Sequence, residues 1–169
     1  LAEALYDQSH YQRGIEAYRL LLKIQPTDEH AYEYSLAIAL GHSTLELWEE
    51  LQRDYRVMLN DYVAPAALTA TTPPAGAAAA PAATAAAVAA PWLQLQDPAT
   101  RAKAASAIER SLYNDAVGLH AKAQVDKTSR VEFEATASLY DIYLGRFAQG
   151  ERAYEVYFNL GEVHFHQLQ

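Results

Sequence analysis

The amino-acid sequence predicts an all-α fold of short antiparallel helix pairs, interrupted by a disordered Ala/Pro-rich insertion. Three observations lead there. Apolar residues recur at steps of three and four along both flanks of the chain, and no run alternates at period two for long enough to make a strand. Turn signals separate the periodic stretches by three to six residues, as expected of antiparallel neighbours. Between the flanks, Val63 to Gln96 carries no charge at all. The chain of 169 residues suits one domain or a short repeat array, given roughly 150 residues per domain. We divide it into helices over residues 1–62, a low-complexity linker over 63–97 and helices over 98–169.

The first stripe joins Tyr11, Ile15, Tyr18 and Leu22 and ends at the turn Ile24-Gln25-Pro26-Thr27-Asp28, where Pro26 turns the preceding residue away from helix. A second helix runs from about Glu29 to Leu40 with Tyr32, Leu36 and Ala39 on one face, and Gly41 and His42 end it. Ser43-x-x-Glu46 reads as a capping box for a third helix, whose buried side holds Leu45, Trp48, Leu51, Tyr55, Met58, Leu59 and Tyr62. The insertion follows. Its heart, Ala64 to Pro91, contains 16 of the chain's 34 Ala with 5 Pro, leaving only Leu68 and Val88 as sizeable apolar groups, too few to offset the entropy of ordering. Within it Ala77 to Ala80 and Ala82 to Ala90 favour transient helical turns that the prolines stop.

Asp97-Pro98 then pairs an N-cap with Pro at the first helical position, opening a helix with Ile108, Leu112, Ala116, Leu119 and Ala123 inside. Ser129-x-x-Glu132 reads as the cap of the next, with Phe133, Ala137, Tyr140 and Leu144 inside. A last helix begins near Arg152.

Composition excludes several functions. Twenty-one acids against thirteen bases give a net charge of −8, which repels a phosphate backbone, so no nucleic-acid partner is expected. Without Cys there is no disulfide, thiolate zinc site or cysteine nucleophile. No apolar run is long enough to span a membrane, and Leu1 opens no signal sequence. Nucleophile elbows, zinc-protease helices and phosphate loops are missing too. His164-x-His166 points in opposed directions on a helix, and Glu162 with His166, four apart, reads as a surface pair rather than a metal site. His10, His30, His42 and His120 lie on different elements and read as turn, cap or surface residues. Glu46, with Glu49 and Glu50, reads as an exposed helix start complementing the dipole. No catalytic residue, cofactor or metal is expected.

The helix pairs resemble tetratricopeptide repeats, whose unit of 34 residues carries W-x2-L-G-x2-Y in its first helix. Tyr157-x2-Leu160-Gly161-x2-His164 fits that signature with Tyr and His at the two aromatic positions. Tyr11-x2-Gly14-Ile15-x2-Tyr18-x2-Leu21-Leu22-x-Ile24-x-Pro26 is similar to the second helix of a repeat. Ser35-Leu36 replaces Leu-Gly in the second pair, and the pair from Asp97 to Arg146 has an over-long first helix without the signature. A narrower likeness, from Leu139-Tyr140 through Phe147 and Ala153 to Leu160-Gly161-Glu162, is to bacterial envelope members of the family: outer-membrane assembly factors and gliding-motility lipoproteins.

The resemblance implies a stacked α-solenoid that acts as a scaffold rather than an enzyme. Gly161 would mark close approach of a paired helix, and Tyr11, Tyr18, Tyr32, Tyr55, Tyr140 and Tyr157 would be interhelix knobs. It also implies that the chain opens and stops inside repeats, so that a longer protein would continue past Gln169. The concave surface would comprise Glu155, Phe158, Glu162 and Phe165 in the last helix, His30, Glu33 and Ala37 in the second, and Glu3 and Tyr6 at the start. That acidic and aromatic groove suits a basic or aromatic-bearing peptide. Residence in the periplasm or at the outer membrane follows from the envelope likeness, with a lipid anchor upstream of Leu1 as one form of it and the cytoplasm as the alternative. The rival functions are the docking arm of an enzyme whose catalytic domain lies elsewhere, and a structural part of an envelope assembly.

Overall fold

A computed structural model describes residues 2–7, 9–65, 90–125 and 129–167. Among them the regular structure is entirely helical: α1 (Ala2–Asp7), α2 (Tyr11–Ile24), α3 (Ala31–Thr44), α4 (Trp48–Asp61), α5 (Pro91–Leu95), α6 (Pro98–Val125), α7 (Arg130–Phe147) and α8 (Ala153–Gln167). Helices adjacent in sequence pack on one another from α1 to α4 and again from α6 to α8. The two groups meet where α4 lies against α6 and α7, and α3 against α6. No helix among the described residues is long and apolar enough to cross a membrane.

The apolar stripes become one continuous core. Leu51, Tyr55 and Met58 from α4 share it with Ile108, Leu112 and Ala116 from α6 and Tyr140 and Tyr143 from α7, all essentially without solvent contact. Burying side chains of this size contributes about 1.5–3 kcal/mol each, which is what holds marginal helices of 14 residues in place. Buried polar groups within it are paired. The Tyr55 hydroxyl donates to an Asp115 carboxylate oxygen at 2.5 Å, Ser43 donates to the other oxygen at 3.2 Å, and Ser111 lies 2.9 Å from the Tyr55 hydroxyl. Together these bonds tie α3 and α4 to α6.

The expected start of α6 holds. Asp97 accepts the backbone N–H of Ala99 at 2.8 Å and of Thr100 at 3.1 Å, satisfying donors that the first turn leaves free. Bonds from the Thr100 hydroxyl and these amides lower the carboxyl's pKa.

Elsewhere the structure corrects the sequence reading. Gly41 and His42 do not end α3, which continues to Thr44; Gly41 is buried in it under Tyr6 and Ile15. Neither capping box forms. The N-cap of α4 is Leu47, while Glu46 precedes the helix at φ 58° and reaches Lys122 at 2.6 Å. Ser129 makes no side-chain cap to α7, and Glu132 lies 3.1 Å from the same Lys122. His42 and His120 are core groups rather than surface ones, 3% and 5% exposed. His42 Nδ1 lies 2.5 Å from Asp54, and Gln124 Nε2 lies 3.2 Å from His120 Nε2.

The linker assigned to residues 63–97 is folded at both of its described ends. Val63, Trp92 and Leu93 are buried, and α5 packs on α4. Trp92 stands edge-on to Tyr32 and Tyr62, at 6.0 and 5.1 Å between ring centroids, and its indole N–H donates to the Asp28 carbonyl at 2.7 Å. The Ala77 to Ala80 stretch, and Ala82 to Ala90 apart from its last residue, lie outside the described residues.

Candidate functional site

α8 packs on α7 through Val156 and Val163, both without solvent exposure. With about 100° of rotation per residue, that contact fixes where the remaining side chains point. Glu155 and Glu162 fall on the side turned toward α6. Glu155 hydrogen-bonds Tyr113, which raises the phenol's pKa together with burial, the larger cause. Glu162 lies close enough to His120 to oppose the lowering that burial imposes on that imidazole. Arg152, just before α8, stacks over Tyr113 with its guanidinium carbon 4.9 Å from the ring centroid. Asn159 hydrogen-bonds Tyr140 at the floor between the helices.

The arc of α8 opposite Val156 and Val163, adjoining the glutamates, is aromatic and open. Tyr154 is 84% exposed, Tyr157 55%, Phe158 61% and Phe165 62%. They fall within an arc of roughly 100° around Gly161, over which no described atom comes within 4 Å of where a Cβ would be. Two expectations are thereby corrected. Gly161 receives no paired helix among the described residues, and Tyr157 is an exposed residue instead of an interhelix knob. His166 rests on Phe133 with ring centroids 5.6 Å apart. Single exposed aromatics are ordinary; several on one helix face are a feature of interaction surfaces.

The remaining predicted residues lie apart from this face. His30 and Glu33 form a cluster at the start of α3: His30 Nδ1 lies 3.2 Å from Glu33, and Tyr32 donates to Glu33 at 2.8 Å. Lys103 on α6 approaches the same carboxylate at 3.4 Å. The Tyr32 bond, more than the Lys103 and His30 contacts, lowers the Glu33 pKa. Glu3 is exposed on α1. Tyr6 is not a groove residue. Its ring is wedged between α2 and α3, its hydroxyl donates to the Ala37 carbonyl at 2.6 Å, and burial pushes its pKa up to about 12. Ala37 is therefore engaged through its backbone.

Sequence reasoning missed Tyr113 and His120, the two α6 residues facing Glu155 and Glu162. Their separation of two helical turns was a legible signal. No set of acidic and imidazole side chains suited to a metal occurs among the described residues. Comparison with protein-family models, curated proteins and solved structures finds no match.

Proposed function

We propose that the chain is a non-enzymatic scaffold, a tetratricopeptide-like helical array that holds a peptide or protein partner on α8. The observation that carries this reading is the open arc of Tyr154, Tyr157, Phe158 and Phe165 beside the carboxylates of Glu155 and Glu162. Aromatic side chains supply large contact area with few rotors to freeze, and a flanking pair of carboxylates selects a cationic partner over an anionic one. The favoured occupant is a basic, aromatic-bearing segment, whose Arg or Lys side chains would meet both the rings and the acids. The solenoid arrangement draws support from the order of helix contacts, in which each helix packs on its neighbours in sequence within the two groups. Disorder of the Ala/Pro-rich insertion rests on its composition. The bacterial envelope setting, periplasmic or at the outer membrane, rests on the resemblance of residues 139–162 and belongs to the same proposal.

A library of basic and acidic peptides, each with and without aromatic residues, titrated against the chain at low and moderate salt, tests it. Basic aromatic peptides should bind, weaken as salt rises, and lose affinity to a Phe158→Ala/Glu155→Ala/Glu162→Ala variant of unchanged helicity. Equal binding by that variant, or a preference for acidic peptides, would sink the reading.

A further inference from the structure

A cavity lies away from α8, where α5 closes over the turn between α2 and α3. Two side-chain bonds to that turn hold the rim: the Trp92 indole to the Asp28 carbonyl at 2.7 Å, and the Gln96 amide to the Thr27 carbonyl at 2.8 Å. Beneath the rim is a cavity of about 300 Å³ with walls from Leu22, Pro26, Val57, Pro91 and Trp92. Its size is at the lower end for small-molecule pockets, and its lining is largely apolar with few polar groups, as such pockets usually are.

One charge opens into it. Asp61, the last residue of α4, lines the cavity, is only partly exposed, and has no hydrogen-bond or ion-pair partner among the described residues. Two of the other polar groups there are engaged with each other: Ser35 Oγ donates to the Ala31 carbonyl at 3.2 Å and lies 3.1 Å from the Tyr62 hydroxyl, while Thr27 lines the wall as a neutral side chain. A partly buried carboxylate with no partner among the described residues has lost some of its hydration, and an incoming cation offsets that loss. Burial raises the Asp61 pKa.

We infer that this cavity binds a small organic ammonium ion, its apolar body against Leu22, Pro26 and Val57 and its ammonium on the Asp61 carboxylate. The alternatives fit less well. A hard metal cation needs six or more oxygen ligands, which one carboxylate among apolar walls does not supply. An anion meets repulsion, and a neutral apolar molecule leaves Asp61 desolvated and unpaired.

The probe is 2-phenylethylammonium, titrated calorimetrically into the full chain beside its neutral isostere 2-phenylethanol and the anion phenylacetate. The ammonium should bind at least about tenfold more tightly than the alcohol, the difference expected of one charge-assisted bond, and phenylacetate should not bind. Asp61→Asn should abolish the preference for the ammonium while leaving binding of the alcohol intact, and Val57→Trp, which fills the mouth from a half-exposed position, should weaken both. Equal affinity for ammonium and alcohol, no binding of either at millimolar concentration, or an ammonium affinity unchanged by Asp61→Asn would overturn the assignment. Because Asp61 and Val57 lie on α4, peptide binding on α8 should survive both substitutions, so the two sites fail independently.

Discussion

The Tyr6 hydroxyl donates to the Ala37 carbonyl at 2.6 Å, and the ring behind it occupies the space that side chains on Gly14 and Gly41 would fill. A Cβ at Gly14 would stand 2.1 Å from Tyr6 Cε1, and one at Gly41 would stand 2.4 Å from its hydroxyl oxygen. Tyr11 and Tyr18 hold the ring edge-on, with centroids 5.3 and 5.5 Å away. A short helix of 6 residues is thus docked through one aromatic side chain seated on two glycines.

Gly14→Ala should therefore destabilise the chain even though Ala is the better helix former. The added methyl displaces Tyr6, an overpacking cost of about 1–3 kcal/mol. Gly118, in the middle of α6, has no neighbour within 4 Å of its Cβ position, so Gly118→Ala should stabilise by about 0.5–1 kcal/mol. Urea melts of the two variants separate packing from propensity. If Gly14→Ala raises the midpoint as Gly118→Ala does, Tyr6 is not seated on Gly14.

Tyr55→Phe should weaken the chain most near neutral pH. Burial raises the Asp115 pKa, while donation from Tyr55, the larger opposing cause, and from Ser43 pulls it back. A carboxyl with a raised folded pKa holds its proton longer in the native state than in the unfolded one. Its contribution to stability is thus fully present below the unfolded value and is lost as pH rises through the folded one. Removing the Tyr55 hydroxyl raises the folded pKa further and strips a donor from the ionised carboxylate, at about 1.5–3 kcal/mol for a bond to a charged group. The deficit should shrink as acidification carries the pH down through the raised folded pKa of Asp115. A deficit that is constant or grows as pH falls would contradict this assignment.

The core stripes were legible because a period of 3.6 survives averaging. Ile108, Leu112, Ala116, Leu119 and Ala123 recur at that period and are all buried. α5 was not legible, since the Ala/Pro composition around it hid Trp92 and Leu93, and five residues carry no period. Gly41 was misread because a glycine that admits a neighbouring ring looks, in sequence, like one that ends a helix. The repeat resemblance puts Tyr6 in the groove, and nothing in the sequence counters it, since its partners are glycines on other helices, which leave no pattern beside it. Phe158 and Phe165 enter the expected surface through the repeat resemblance, not through a pattern in α8; the division that leaves them exposed, with Val156 and Val163 buried behind them, is visible only in the structure.

Trp92→Ala tests whether the end of the Ala/Pro-rich segment belongs to the folded unit. The indole is 2% exposed, touches Tyr32 and Tyr62, and its N–H satisfies the Asp28 carbonyl. Truncation should cost about 3–5 kcal/mol, as for other buried aromatics. Trp92→Phe keeps most of the ring but loses the N–H, and should cost about 0.5–1.5 kcal/mol, the net worth of one neutral hydrogen bond. Thermal unfolding of both reads the difference. A Trp92→Ala change within the noise of a surface substitution would return α5 to the linker.

α8 supplies the sharpest separation of stability from recognition. Phe158 and Phe165 are more than half exposed, so Phe158→Ser and Phe165→Ser should leave the unfolding free energy within about 0.5 kcal/mol of the parent. Val156 and Val163 are smaller but without exposure, and truncation of either to Ala should cost about 1.5–3 kcal/mol. On hydrophobic size alone the order would be reversed, with the phenylalanines dominating. Peptide affinity should follow the opposite ranking, falling with the exposed rings and holding in any valine variant that remains folded at the assay temperature. Measuring both quantities on the same four proteins distinguishes a recognition face from a merely uncovered one. Serine variants that melt much earlier than the parent would mean that the aromatics are packed in solution. Serine variants that keep both stability and affinity would leave the aromatic arc with no part in binding.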